Sequence, residues 1–209
     1  MAVLKDGVHG SFSGKVGNVV GYELNGQAII RSLPNRKKRK PTPLALINRQ
    51  RMTAVSGFLR PLKPFIAFGY RHLAPPGSRV GPFQTAQSYT FKHAIDYGPG
   101  NVPYVNPEKV LVMRGTLQPP VVTGVKRAGN TINLEFADKI GYIGQNLVLI
   151  VYDLETCADM YSVTLRAGTG TCAVELQRGW ENARPLHVYA GYHDMLIDEL
   201  SDSVYLGCF

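Results

Sequence analysis

The 209-residue sequence has only three cysteines, one tryptophan and no long apolar run. Cys157, Cys172 and Cys208 are odd in number and widely spaced, so they predict reduced core thiols and neither a disulfide framework nor a CxxC metal knuckle. No run of about 18 apolar residues occurs, which argues against a membrane span. The start, MAVLKDGVHG, lacks the basic and apolar segments of a Sec signal. We therefore expect synthesis in the cytoplasm, with assembly into a particle or an extracellular filament by a non-Sec route as an open alternative.

The sequence also lacks the motifs of common enzymes. It contains no G-x-S-x-G, no H-E-x-x-H and no cysteine with a suitably placed histidine. The segment 10–16 resembles a phosphate loop, but it is one residue short and Val16 has no hydroxyl for magnesium. His187 and His193 lie on one phase of a predicted strand without a third ligand, so we interpret them as surface histidines. We expect no catalytic residue, no metal site, no cofactor and no enzymatic activity.

Acidic residues are scarce in the first third of the chain. Residues 1–72 contain 13 Lys/Arg against Asp6 and Glu23, a net charge of +11, whereas residues 118–209 have a net charge of −5. The segment between them carries +2, and the whole chain +8. Opposed ends can attract successive copies head to tail, or the basic end alone can hold an anionic partner. Four carboxylates near the C-terminus are interpreted as a solvated acidic face: Asp194, Asp198, Glu199 and Asp202.

The first predicted unit, residues 1–41, is a glycine-rich β-hairpin arm followed by a basic linker. Asn25-Gly26 separates two β-prone runs and favours a type I′ hairpin turn. A lone hairpin is marginally stable, so we expect it to dock on its own domain or on another subunit. The glycines favour an arm that lies against another backbone. The predicted assembly residues of the arm are Val16, Val19, Val20, Tyr22, Ile29 and Ile30.

Five consecutive cations stand between Pro34-Asn35 and Pro41: Arg36, Lys37, Lys38, Arg39 and Lys40. Such a run repels itself and stays extended. It is typical of contact with phosphates, of a solvated linker, or of a loop on an acidic surface of a neighbouring subunit. No aromatic residue interrupts it, which argues against a single-strand stacking platform. Together with Arg49 and Arg51 we expect it to form an electrostatic contact.

The second predicted unit, residues 42–117, is helical. Thr42 is the expected N-cap, with Pro43 at the first helical position. Pro61 and Pro64 should end or kink the helix. A second helix is expected over 83–95. The first helix and its continuation should bury an apolar stripe of Met52, Val55, Leu59, Leu62 and Ile66, and the second should bury Phe91, Ala94 and Ile95.

The third predicted unit, residues 118–209, contains seven short strands. Alternating apolar positions and turn signals such as Ala128-Gly129-Asn130 predict them, and the continuous apolar run 147–152 suits a central strand. The expected fold class is therefore α+β and mainly β, with a C-terminal antiparallel sandwich of the fibronectin III or immunoglobulin type. Trp180 follows both Cys157 and Cys172, so the antibody Cys-Trp-Cys order is missing and the fibronectin type is preferred.

Three N-terminal motifs resemble an uncharacterised bacterial domain family of about 200 residues. They are 10–21 (GSFSGKVGNVVG), 31–34 (RSLP) and 48–51 (NRQR). The family pattern runs S-G-K-x-G-x-V-V-G, R-x-x-P and T-x-A-Q-x-x-Q-R-x-x-F, and this chain departs from it at Glu23-Leu24 and Leu46-Ile47. That family has no established activity, so the resemblance implies a fold and no function. The N-terminal pattern also resembles short structural proteins of phage and prophage regions, an analogy of associational weight.

These observations favour a non-enzymatic, self-assembling structural protein, such as a filament, a sheath or a virion or tail component. The arm would add as a strand to a neighbouring subunit, and the opposed charges would align successive copies. The expected partner is a further copy of the chain. Two alternatives stay open: a nucleic-acid-binding protein that uses residues 36–40, and an adhesive module that binds through fibronectin-like loops.

Overall fold

The computed structural model describes residues 3–4, 10–24, 26–34, 40–73, 80–140, 144–153, 158–164, 169–177 and 185–209. Its chain is α+β and mainly β, with several antiparallel sheets. The helices are α1 (Pro43–Leu59), α2 (Lys63–Gly69) and α3 (Pro82–His93). The strands are β1 (Val3–Leu4), β2 (Phe12–Val16), β3 (Val19–Leu24), β4 (Gln27–Ser32), β5 (Ile95–Tyr97), β6 (Pro103–Val105), β7 (Val122–Ala128), β8 (Thr131–Ile140), β9 (Gln145–Tyr152), β10 (Ala158–Thr164), β11 (Thr169–Glu175), β12 (His187–Asp194), β13 (Glu199–Leu200) and β14 (Val204–Cys208).

The N-terminal strands form an antiparallel sheet in the order β1-β2-β3-β4. The predicted hairpin is present as β3 and β4, with Leu24 opposite Gln27 across the two-residue turn. A second tight turn at 17–18 joins β2 to β3, and Gly17 has the positive φ of +54° that such a turn needs. The arm is therefore larger than the two-stranded hairpin that the sequence predicts.

Helix α1 begins and ends where its local signals predict. The hydroxyl of Thr42 accepts a hydrogen bond from the backbone N–H of Ala45 at 3.3 Å, and Pro43 occupies the first turn. The helix ends at Leu59, two residues before Pro61. Proline lacks the N–H that would continue the helical ladder, so a new helix, α2, starts at Lys63.

Strand β9 is buried on both faces. Its residues alternate between two buried clusters, one formed with the helices and one formed with the sheet β11-β8-β7. Val148, Ile150 and Tyr152 face the helices, and Leu147, Leu149 and Val151 face the second sheet. This explains the continuous apolar run at 147–152, since a strand with only one covered face would alternate with polar residues.

The helices and strand β9 share the first buried cluster. Val55, Leu59, Leu62 and Ile66 are fully buried in it, as the predicted stripe requires, whereas Met52 is 42% exposed. The hydroxyl of Tyr152 donates a 3.2 Å hydrogen bond to the carbonyl of Phe58, and Tyr189 donates a 2.9 Å bond to the carbonyl of Pro107. Both buried tyrosine hydroxyls thus find backbone carbonyl partners, one in helix α1 and one in the segment after β6.

The second buried cluster lies between two antiparallel sheets. The larger sheet has the order β10-β9-β12-β13, and β14 also pairs with β12. The smaller sheet has the order β11-β8-β7. Ile132, Leu134 and Phe136 of β8 pack with Val174 of β11 against the larger sheet. The two buried clusters thus join three layers, the helices, the larger sheet and the smaller sheet, and the arm sheet β1–β4 belongs to none of them.

Candidate assembly surface

Three exposed apolar residues share one face of the sheet β1–β4. Residues opposite each other in an antiparallel pair share a face, as do residues two apart along a strand. Val16 is opposite Val19, and Gly21 is opposite Ile30. Val16, Val19 and Ile30 therefore share a face, which we call the apolar arm face. Their exposed fractions are 51%, 37% and 62%.

The other three predicted arm residues lie on the opposite face. Tyr22 is opposite Ile29, and Val20 is two residues before Tyr22 on β3. All three side chains are half-buried. The guanidinium carbon of Arg31 lies 5.2 Å from the centre of the Tyr22 ring, a cation–π contact that covers part of this face. One face of the arm is therefore half-buried at these three residues, and the other exposes Val16, Val19 and Ile30.

Gly21 permits close packing inside the arm. A Cβ at this position would overlap the backbone oxygen of Phe12 and lie within 2.8 Å of two atoms of the Phe12 ring. Only glycine lets β2 and β3 approach in this way. The glycine-rich lead-in is predicted to lie against another backbone, and at Gly21 that backbone is the arm's own strand β2.

Strand β4 forms an edge of the arm sheet. Within the described residues it pairs with β3 alone, so its outer row of backbone N–H and C=O groups has no strand partner there. No described residue of β1–β4 belongs to either buried cluster. The arm thus combines a free sheet edge with an exposed apolar face.

The structure describes three of the seven residues predicted to form an electrostatic contact. Residues 36–39 lie outside the described residues, and Lys40 and Arg49 are exposed. Arg51 differs from both, because its guanidinium lies 5.3 Å from the centre of the Tyr97 ring and donates a hydrogen bond to the Tyr97 hydroxyl. Arg51 is therefore held against the protein, whereas Lys40 and Arg49 extend into solvent.

The four carboxylates of the predicted acidic face form hydrogen bonds or an ion pair within the protein. Asp194 is 2% exposed, and its carboxylate accepts a 2.8 Å hydrogen bond from the backbone N–H of Leu196. Asp198 forms an ion pair with Arg71 and lies 3.2 Å from Nε2 of His193. The hydrogen bond from His193, with the nearby charge of Arg71, holds the pKa of Asp198 below its ordinary value.

Two further carboxylates connect the same region to residues 115–116 by hydrogen bonds. Glu199 accepts a 2.5 Å hydrogen bond from the hydroxyl of Thr116, and Asp202 accepts a 3.0 Å bond from the backbone N–H of Gly115. The interpretation as a solvated face is therefore wrong for the buried Asp194, whereas the side chain of Asp198 is 64% exposed. Asp194 and Asp202 accept hydrogen bonds from backbone N–H groups, Glu199 accepts one from a hydroxyl, and Asp198 pairs with Arg71, so each also stabilises a contact within the protein.

His187 is not the surface histidine that the strand pattern suggests. It is 8% exposed, and its Nδ1 lies 2.7 Å from the hydroxyl of Tyr205. Burial lowers the pKa of His187, and the nearby charge of Asp153 opposes that shift. Burial also raises the pKa of Tyr205 to about 12. The prediction failed because helices cover the face of the larger sheet to which His187 belongs.

Neither the thiols nor the other metal-ligating side chains form a site among the described residues. Cys172 is half-buried and Cys208 is exposed, so Cys208 is not a core thiol, and Cys157 lies outside the described residues. Among the residues that the structure describes, no group of three His, Cys, Asp or Glu could hold a metal ion. None of the helices in that part of the chain has the length and apolar character that a membrane crossing requires.

Comparison with known proteins identifies the family and no relative of known activity. The chain is similar to no curated protein and to no solved structure. The family model of DUF6266, a family of unknown function, matches residues 11–207. Because this match spans nearly the whole chain, the protein belongs to the DUF6266 family.

Proposed function

We propose that this protein is a non-enzymatic structural protein that polymerises through its N-terminal arm. The observation that carries the proposal is an arm sheet that exposes Val16, Val19 and Ile30 on one face and whose strand β4 has no outer strand partner among the described residues. A monomer gains nothing from exposing such a surface, and natural proteins usually protect free edges.

Strand addition explains how the arm would bind. The edge of β4 would pair with a free sheet edge of the next copy, so that backbone hydrogen bonds provide affinity. The apolar arm face would then pack against that copy and leave water. A contact between two different surfaces is heterologous, and it builds a ring when it closes or a filament when it does not.

Deletion of residues 1–34 tests the proposal. The truncated protein should stay folded, since no described residue of the arm belongs to a buried cluster, and it should lose assembly. Light scattering and negative-stain imaging of the full and truncated proteins give the masses and the shapes. A cooperative thermal transition of the truncated protein is the control for folding. Equal masses of the two proteins would refute the proposal.

We also propose that the C-terminal half is a fibronectin-like sandwich. When β7, β8, β9, β11, β12 and β14 are lettered A, B, C, E, F and G, one sheet holds A, B and E and the other holds C, F and G. This partition is typical of immunoglobulin-like sandwiches. An experimental structure with a different partition of strands would contradict the assignment.

A further inference from the structure

Strands β4 and β10 have the most regular free edges in the described part of the chain. Strand β4 pairs with β3 over six consecutive residues and β10 pairs with β9 over seven, both without a register shift. The other outer strands either have at most three residues or, as for β7, β11 and β14, contain a register shift in their pairing. Such irregularities protect a sheet edge from further pairing. The edges of β4 and β10 are therefore the best suited to pair with another strand.

The backbone hydrogen bonds of the arm show which residues of β4 point outward. Along an antiparallel strand, residues alternate between those whose N–H and C=O groups bond one neighbouring strand and those whose groups point to the other side. The N–H of Leu33 donates a 2.7 Å hydrogen bond to the carbonyl of Asn18, on the β3 side. Every second residue before Leu33 therefore bonds β3, and the residues between them point outward. These outward residues of β4 are Ala28, Ile30 and Ser32.

The outward residues of β10 follow from the same alternation across the larger sheet. Leu186, next to β12, and Phe209, next to β14, exchange two backbone hydrogen bonds of 2.8 and 3.0 Å. Even-numbered residues of β12 therefore bond the β14 side, and odd-numbered ones bond β9. The latter are opposite even-numbered residues of β9, which leaves the odd-numbered residues of β9 to bond Asp159, Tyr161 and Val163 of β10. The outward residues of β10 are Ala158, Met160, Ser162 and Thr164.

Neither edge has the features that usually prevent pairing. None of these outward residues is charged, and none is proline. Ile30 is 62% exposed and Met160 is 37% exposed, so each edge also presents an apolar side chain. Within the described residues, no backbone hydrogen bond reaches β4 or β10 except from their partners β3 and β9. Both edges are therefore open to a strand of another copy.

One antiparallel register brings the outward groups of both edges into phase around Ile30 and Met160. When these two residues are opposite each other, their backbone groups face each other and exchange two hydrogen bonds. The outward pairs two residues away on either side do the same, so the register gives about six hydrogen bonds between β4 and β10. Those pairs are Ala28 with Ser162, and Ser32 with Ala158.

The side chains of the intervening pairs favour this register. Ile29 comes opposite Tyr161, and Arg31 comes opposite Asp159. Both kinds of pair, β-branched with aromatic and cation with carboxylate, stabilise neighbouring strands. A shift by two residues keeps the backbone in phase, but it places an isoleucine of β4 opposite a serine or an aspartate. Asp159 also contacts the Tyr161 hydroxyl of its own copy at 3.5 Å, so the charge pair selects the register and the backbone provides the affinity.

We propose that strand β4 of one copy adds, antiparallel, to strand β10 of a second copy, with Ile30 opposite Met160. The inference rests on the proposed self-assembly and names the strand that accepts the arm. The larger sheet of one copy then continues into the arm sheet of the next. Each copy has one β4 edge and one β10 edge, so the contact is heterologous and can repeat along a polymer.

Cysteine cross-linking in the full chain tests the register. The natural thiols are first removed by Cys157→Ser, Cys172→Ala and Cys208→Ser. Ala28→Cys and Ser162→Cys are then introduced together, because both positions are exposed and opposite each other in the proposed register. Their Cα atoms are then about 5.5 Å apart, within the range that a disulfide spans. Oxidation by glutathione disulfide should give a ladder of linked chains in non-reducing electrophoresis, and a reductant should abolish it.

Ser32→Cys with Ser162→Cys is the matched control pair. Ser32 is also an exposed, outward residue of β4, but in the proposed register it lies four residues from the position opposite Ser162, about 13 Å away. A disulfide does not span that distance, so this pair should give about tenfold fewer linked chains. Both variants should keep the cooperative thermal transition of the cysteine-free parent.

Met160→Lys measures the same contact through assembly of the natural chain. A lysine at the centre of the accepting edge should raise the protein concentration at the midpoint of assembly by about tenfold or more. Val121→Lys is the control, because Val121 is 59% exposed and lies outside both edges. Its midpoint should equal that of the natural chain. Light scattering over a range of concentrations measures all three midpoints.

Three results would overturn the β4–β10 contact. They are equal linkage by the two cysteine pairs, linkage within single chains, and a Met160→Lys variant that assembles like Val121→Lys. If deletion of residues 1–34 abolishes assembly while one of these results is obtained, the arm binds another surface and only the present inference fails. If the deletion leaves the mass unchanged, the proposed function fails as well. A natural chain that stays monomeric overturns both.

Discussion

Ile30→Thr measures directly whether the apolar arm face is buried in an assembly. Ile30 lies on the edge strand β4 and is 62% exposed, so its side chain has more area left to bury than Val16 or Val19. Threonine is also β-branched and suits a strand, so the substitution should leave the arm sheet intact. The change therefore acts mainly on whatever covers this face.

The magnitude follows from the exposed area. Complete burial of an isoleucine side chain contributes about 1.5–3 kcal/mol, so the 62% of Ile30 that is exposed represents about 1–2 kcal/mol. Threonine keeps a methyl group but adds a hydroxyl that would need a partner when buried. Since about 1.4 kcal/mol corresponds to a tenfold change in an equilibrium constant, the midpoint concentration for assembly should rise about tenfold.

Static light scattering against protein concentration is the assay. Val121→Thr is the control, because this residue is 59% exposed and lies outside the arm. The free energy of unfolding, from urea titration, should be unchanged within about 0.5 kcal/mol for both variants, as for exposed positions in general. If Ile30→Thr and Val121→Thr assemble at the same concentration as the natural chain, the apolar arm face is not buried and the reasoning fails.

Three further predictions concern the folded body. Gly115→Ala should lower the free energy of unfolding by about 1–3 kcal/mol, because its Cβ would overlap the backbone of Leu200. Gly57→Ala should raise it by about 0.5–1 kcal/mol, because Gly57 is an exposed helical position with open space around it. Equal urea midpoints for these two variants would contradict the packing. Burial lowers the pKa of His187, so the unfolded chain binds the proton more readily and stability should fall as pH drops below about 6.5. His187→Gln should flatten that fall between about pH 7 and pH 5 in urea titrations, and an unchanged slope would show that His187 titrates normally.

Local signals in the sequence predict the elements well. Thr42, Pro43 and Pro61 mark the ends of α1 because each acts on the backbone within a few residues, whatever packs around it. Asn25-Gly26 marks a hairpin for the same reason. The turn at 17–18 has glycine before asparagine, which reverses the order of the hairpin signal Asn-Gly. The glycines around this turn also weaken the strand pattern of β2, so the sequence does not predict β2.

The sequence pattern of a single strand does not predict which of its two faces is buried by a neighbouring layer. His187 and Tyr189 lie on one phase of β12, but a period of two does not say which phase meets solvent. The helical layer decides, because it packs on that phase and buries Tyr189 completely. Burial of both faces of β9 is indicated by its continuous apolar run. Strand β12 is also buried on both faces, but its histidine and tyrosine residues give no such indication in the sequence.

Some acidic residues of the C-terminal end form contacts within one copy, and this affects how two copies would bind. Asp194 and Asp198 form contacts within their own copy, so these two carboxylates are less available to attract the basic end of another. Apolar area must then supply most of the affinity of a head-to-tail contact, while charge sets its orientation and excludes wrong pairings. A nucleic-acid partner would reverse this balance, because counterion release from phosphates makes charge the main source of affinity. The exposed apolar residues at Ile30, Leu44 and Leu196 would contribute little to that kind of binding, and for this reason we favour the proposed self-assembly over a nucleic-acid partner.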